Sequence, residues 1–209
     1  MTNYYCLVTG LPELSLEDGK LSYTVANFKT EIYPELSKVD KKLIDLFYLK
    51  FDNQNLLTLL KDKEASVDTS LGNYSADELL SVIASFKEET APDKKFPAYF
   101  YEFAELYLNT PDDERWGLED KLHGFYYSHA MKSGNPFVSA WFELNLDVNN
   151  ILAAMTARKY KMDVAKVPVG ENLVAEALRN SNARDFGLAD DLEYFEQLVR
   201  INDTVDLVE

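Results

Sequence analysis

The sequence predicts an all-α protein, and three observations carry that prediction. Lys38 to Lys63 holds leucines at helical spacing with no glycine or proline. Ser75-Ala76-Asp77-Glu78 reads as a capping box, in which the serine hydroxyl caps a backbone N–H and the glutamate reaches back to the serine's own N–H. A cap-type residue stands directly before proline at Thr110-Pro111 and again at Asn135-Pro136, the arrangement that opens helices. Against these, Tyr4 to Thr9 and Leu21 to Phe28 are the candidate strands. Their β-branched and aromatic residues form runs too short for the periodicity to separate helix from strand.

In chain order, the helix over 38–63 is followed by one that starts at the Ser75 cap and carries Leu79, Leu80, Val82, Ile83 and Phe86. Ala91-Pro92 breaks the chain, and Lys95-Phe96-Pro97 opens the next element. There Phe96, Phe100, Phe103 and Tyr107 fall within about 60° of one another around a helix. That aromatic stripe reads as core, with an exposed groove for a partner helix as the alternative. Asp112-Asp113-Glu114 then sits where acidic side chains favour the positive end of a helix. Ser133-Gly134 punctuates, Val167-Pro168-Val169-Gly170 is a loop, and helices near Glu171–Asn180 and Leu188–Ile201 close the chain. The final LVRINDTVDLVE still reads as helix and has no stop signal, so a fragment of a longer chain is expected. The whole divides into helical units over residues 1–95 and 96–209.

Hydrophobic residues at 46% and charged residues at 27% are globular values. The formal net charge of −15 is the more informative number. A chain this acidic repels phosphate backbones and anionic headgroups, which argues against nucleic acid and direct electrostatic membrane docking. A partner with a basic face suits it; plain solubility accounts for the acidity equally well. Cys6 is the single cysteine and has neither a disulfide partner nor a CxxC companion. The opening MTNYYCLVTG lacks the basic and apolar regions of a signal peptide, and no stretch approaches the ~18 apolar residues of a membrane span. A cytoplasmic location is expected.

An internal repeat is visible. Phe51 to Lys63 and Leu146 to Arg158 align without a gap at an offset of 95, both reading apolar-D-x-x-N-[LI]-L-x-x-[LM]-x-x-[KR]. On a helix Asp52, Asn55, Leu56, Leu59, Leu60 and Lys63 share a sector of about 140°, as do Asp147, Asn150, Ile151, Ala154, Met155 and Arg158. The aspartate and asparagine either cap helix ends and satisfy a neighbouring turn, or contact a partner. Recurrence at this spacing points to two copies of one helical unit, related by pseudo-symmetry.

This signature resembles the repeated helix of the C subunit of V/A-type rotary ATPases, known in eukaryotes as the d subunit. After the second copy, Arg158-Lys159-Tyr160 leads into Val167-Pro168-Val169-Gly170-Glu171-Asn172-Leu173, an order similar to the family's basic helix end and Pro-x-Gly loop. Tyr4-Tyr5-Cys6-Leu7-Val8 and Leu11-Pro12-Glu13-Leu14 look like a divergent bacterial branch encoded beside V-type ATPase genes. The family carries three repeats in a longer chain, and two are visible here. The resemblance implies a non-catalytic, all-helical socket that links the central rotor stalk to the membrane ring. It further implies a peripheral place on the cytoplasmic side of the membrane, reached through other subunits. Aromatics on the receiving face, with Phe125, Tyr126 and Tyr127 as candidates, would anchor the stalk.

Catalytic chemistry is hard to assemble from these residues. There is no GxxxxGK[ST] or GxGxxG loop. The two histidines, His123 and His129, fall on different helix faces and far in sequence from Cys6, and each reads as a core residue. Asp120-x-x-His123 mimics half of a di-iron bundle site but has no second pair. Asp112-Asp113-Glu114 offers no encircling ligand set for Mg²⁺ or Ca²⁺. No cofactor is expected. The alternatives to a coupling subunit are a generic acidic helical scaffold, then a metal-dependent bundle enzyme around Asp120 and His123.

Overall fold

A computed structural model of the chain describes residues 4–15, 19, 23–88 and 90–204. Every regular element among them is helical. Contacts divide the chain into two compact units, Met1–Asp93 and Lys94–Glu209.

In the first unit a helical turn, α1 (Tyr5–Thr9), occupies one of the two candidate strands. A second turn, α2 (Val25–Asn27), falls in the other. It is opened by reciprocal bonds between Thr24 and Asn27 and runs on into wider and tighter turns through Glu35. Leu21 and Ser22 of that candidate strand lie outside the described residues, as do 205–209 of the expected terminal helix. The Tyr4 hydroxyl donates to Asp40 (2.6 Å) and accepts from the Ser37 N–H (2.8 Å), tying the start of α1 to the start of α3 (Lys38–Lys61), which Ser37 caps. This helix stops two residues before the expected Lys63. Asp62 turns extended, and its carboxylate accepts from the Glu64 N–H (3.0 Å), so an aspartate turn competes successfully with another helical bond. α4 (Ala76–Glu88) starts on the capping box read from the sequence: Ser75 N–H donates to Glu78 (2.7 Å) and Glu78 N–H to the serine hydroxyl (3.3 Å). Leu79, Val82 and Ile83 of α4 are buried, as are Leu56, Leu57 and Leu59 of α3, against which α4 packs.

The second unit opens with α5 (Ala98–Asn109), and the aromatic stripe is core: Phe96, Phe100, Phe103 and Tyr107 are all buried. The expected helix at Pro111 does not form there. Asp112–Glu114 makes only a tight turn, because Arg115 folds back onto the Tyr107 ring, pairs with Asp112 and donates to the Thr110 carbonyl (3.0 Å). The chain then redirects through Gly117 (φ +80°), a backbone state that costs glycine little, and α6 (Leu118–Met131) begins. α7 (Pro136–Lys159) follows after a short turn, with Asn135 accepting from the Val138 N–H (3.1 Å) and Pro136 in its first turn, as the sequence predicts. α6 packs on both α5 and α7. α8 (Leu173–Asn180) and α9 (Phe195–Asp203) close on the C-terminal half of α7 through Ile151, Ala154, Val174, Leu178, Phe186 and Phe195. α9 begins later than the expected Leu188, since residues 188–194 are spent in successive turns.

Candidate functional site

The signature aspartates and asparagines lie inside long helices rather than at their ends, and each pair grips the loop that leads to the next helix. In the first unit Asp52 is fully buried. Its carboxylate accepts from the Asn73 N–H (2.8 Å), the Asn73 side-chain amide (2.8 Å) and the Tyr74 N–H (3.1 Å), while Asn55 donates to the Asp68 carbonyl (2.8 Å). Gly72 permits this approach, for a Cβ there would stand 2.4 Å from Asp52 Oδ1. Lys29 closes the loop from the other side, donating to the carbonyls of Ser70 (3.1 Å) and Gly72 (2.7 Å). Burial pushes Asp52 up to about 6, against the hydrogen bonds from Asn73 and Tyr74 and the nearby Lys29, which favour its charge. Desolvation also holds the Lys29 ammonium below its ordinary range.

The second unit repeats the division of labour. Asp147 accepts from the Asn172 amide (2.6 Å), and Asn172 itself caps α8 by accepting from the Ala175 N–H (3.0 Å). Asn150 binds both groups of one residue, donating to the Val169 carbonyl (2.8 Å) and accepting from its N–H (2.8 Å). Arg179 donates to the carbonyls of Pro168 (2.6 Å) and Gly170 (2.7 Å), as Lys29 does in the first unit. Gly170 (φ +78°) makes the turn beneath it. Burial raises Asp147 above the usual carboxylate range. In each unit, then, a buried carboxylate, a buried amide and a cation satisfy polar groups of the loop.

The cation at the end of the signature behaves differently in the two copies. Lys63 is exposed beyond the end of α3 and shares no helix with Asp52 and Asn55, which corrects the expected common sector. Arg158 does lie on α7, stacked over the Phe186 ring (3.8 Å) and donating to the Arg184 carbonyl (2.7 Å). The loop cations are Lys29 and Arg179, which the repeat alignment does not reach. A glycine followed within two residues by asparagine, ahead of the next helix in each unit, is the signal that marks these loops.

Of the three candidate aromatics, Tyr126 is core: it is buried and packs edge-on against Phe142 (5.6 Å between ring centres). That burial pushes its hydroxyl above the ordinary tyrosine range. Tyr127 is half-buried and accepts from the Asn149 amide (3.2 Å). Phe125 lines a groove of about 860 Å³ between α6 and residues 165–172, with Trp116 at 81% exposure on its edge. On α7, Phe137, Trp141 and Leu144 form an exposed row, the two rings stacked 6.4 Å apart. Nothing in the sequence pattern distinguishes this row from the buried one beside it.

His123 is exposed, contrary to the core position expected of it, because α6 turns that side outward. His129 is half-buried beside Tyr99 (5.3 Å between rings), where burial and then Lys132 hold it below the usual imidazole range. Among the described residues no three histidine, cysteine or acidic side chains converge as a metal site would need, and no helix is long and apolar enough to cross a membrane. No curated protein and no solved structure matches the chain. Residues 1–209 match the family described as Protein of unknown function (DUF2764), and the chain belongs to that family.

Proposed function

We propose that the chain is a non-catalytic coupling subunit of a V/A-type rotary ATPase, linking the central rotor stalk to the membrane ring. The observation that supports this reading is the D-x-x-N helix present in each unit, with the following loop locked to it. A torque-bearing link needs stiff elements and connections that do not slip. Each signature pair sits on a 24-residue helix, ~36 Å long at the usual rise. Binding the next loop to the body of that helix removes a joint that would otherwise yield under load. With a net charge of −15, association is steered by basic residues on the stalk and slows as salt rises. The exposed row of Phe137, Trp141 and Leu144 favours a second reading, a helical adaptor outside any rotary enzyme.

Deleting the gene is expected to uncouple ATP hydrolysis from ion pumping while hydrolysis by the catalytic head continues. The tagged protein is expected to recover central-stalk subunits at low salt. Normal coupled pumping in the deletion strain, with no stalk subunit in the pull-down, would defeat the coupling role.

A further inference from the structure

On the first half of α7, Phe137, Trp141 and Leu144 are 72%, 46% and 41% exposed, and Ala140 among them is exposed as well. At ~3.6 residues per turn these four share a sector of about 100°. An aromatic side chain offers about 150–250 Å² when fully exposed, so the row leaves on the order of 300 Å² of apolar surface open to water. Charge is absent from it. From Pro136 to Leu144 the one charged residue is Glu143, which projects about 110° from the centre of the row. The amide of Asn145, at the edge, turns back onto its own helix and donates to the Trp141 carbonyl (2.7 Å). In a chain with 27% charged residues, this face offers a charged partner nothing to pair with.

We propose that the face is covered by a second copy of this chain, in a two-fold pair of antiparallel α7 helices. The row is self-complementary about a two-fold axis between Ala140 and Trp141. The Trp141 ring meets the second copy's Ala140, whose small side chain leaves room for it, and Phe137 meets the second copy's Leu144. Neither like charges nor two bulky rings then oppose one another. Small stable interfaces bury about 600 Å² on each partner, a little over half of it apolar, and the row supplies that apolar share. A net charge of −15 on each copy opposes approach at long range. A face that adds no like-charge contact therefore suits self-pairing, and screening by salt strengthens the pair. That sign separates the pair from the coupling role, on which it does not rest: binding to a basic stalk slows as salt rises.

The test is sedimentation equilibrium of the full chain over rising concentration, at low and high salt. A monomer–dimer equilibrium is expected, tighter at high salt. Phe137→Glu and Trp141→Glu should each weaken it about tenfold or more, by placing a charge at the centre of the contact. Phe137 is largely exposed, so circular dichroism of Phe137→Glu should match wild type, and this variant carries the test if Trp141→Glu folds poorly. Trp116→Phe, outside the face, should leave the equilibrium unchanged. The remaining tryptophan, Trp141, should then shift its emission to shorter wavelength as dimer forms. A monomer at every concentration and salt would overturn the proposal and leave the face to a different protein. A dimer that survives in folded Phe137→Glu, one that weakens as salt rises, or a Trp141 emission indifferent to concentration would overturn it too.

Discussion

Replacing Asp52 by alanine should cost the first unit about 3 kcal/mol, the net of two opposed effects. Three partly buried donors lose their acceptor, at roughly 1–3 kcal/mol each. Removing a carboxylate that burial already disfavours returns part of that. The donors prevail because three bonds are lost while the burial of one charge is relieved. A second consequence concerns pH. A folded value of about 6 lies above the ordinary 3.8, so the folded state binds the proton more tightly than the unfolded chain. The stabilisation from protonating Asp52 is full below the unfolded value and lost as pH rises through about 6. Its span is about 3 kcal/mol. Urea unfolding between about pH 4 and pH 7 should show this as a falling slope that Asp52→Asn removes. Equal slopes in the two proteins would show that Asp52 titrates normally.

Asn150→Ala should cost the second unit about 2–4 kcal/mol, since one side chain satisfies both the N–H and the carbonyl of Val169. Asn149→Ala is the control. Asn149 is exposed and bonds the Tyr127 hydroxyl, so its loss should stay within about 0.5 kcal/mol. Hydrogen exchange gives the local readout: the Val169 amide should lose protection in Asn150→Ala and keep it in Asn149→Ala. Matching urea midpoints and matching protection would mean that Asn150 does not lock the loop.

Much of the fold is written in local chemistry. The Ser75 capping box, the Asn135-Pro136 start and the leucine-rich run from Lys38 depend on neighbours within a turn or so, and each forms where its residues stand. Where two local signals compete, the pattern misleads. Asp62 can continue a helix or turn it, and its bond to the Glu64 N–H ends α3 before Lys63. Thr110-Pro111 resembles a helix start, but Arg115 folds back on Tyr107 and leaves a single tight turn.

The sequence by itself determined that helices form, where most of them start, and that the D-x-x-N pattern recurs. All of these follow from bonds and periodicities only a few residues long. Tertiary structure alone decided what the pattern does. Asp52 meets Asn73 and Asp147 meets Asn172 across more than twenty residues of chain, and the cations that complete the loops, Lys29 and Arg179, lie outside the repeat. It also decided which apolar row of α7 is free. Val138, Phe142 and Leu146 are buried while Phe137, Trp141 and Leu144 are exposed, although both rows have helical spacing. Periodicity places side chains on a face of a helix; the neighbouring helices decide which face is covered.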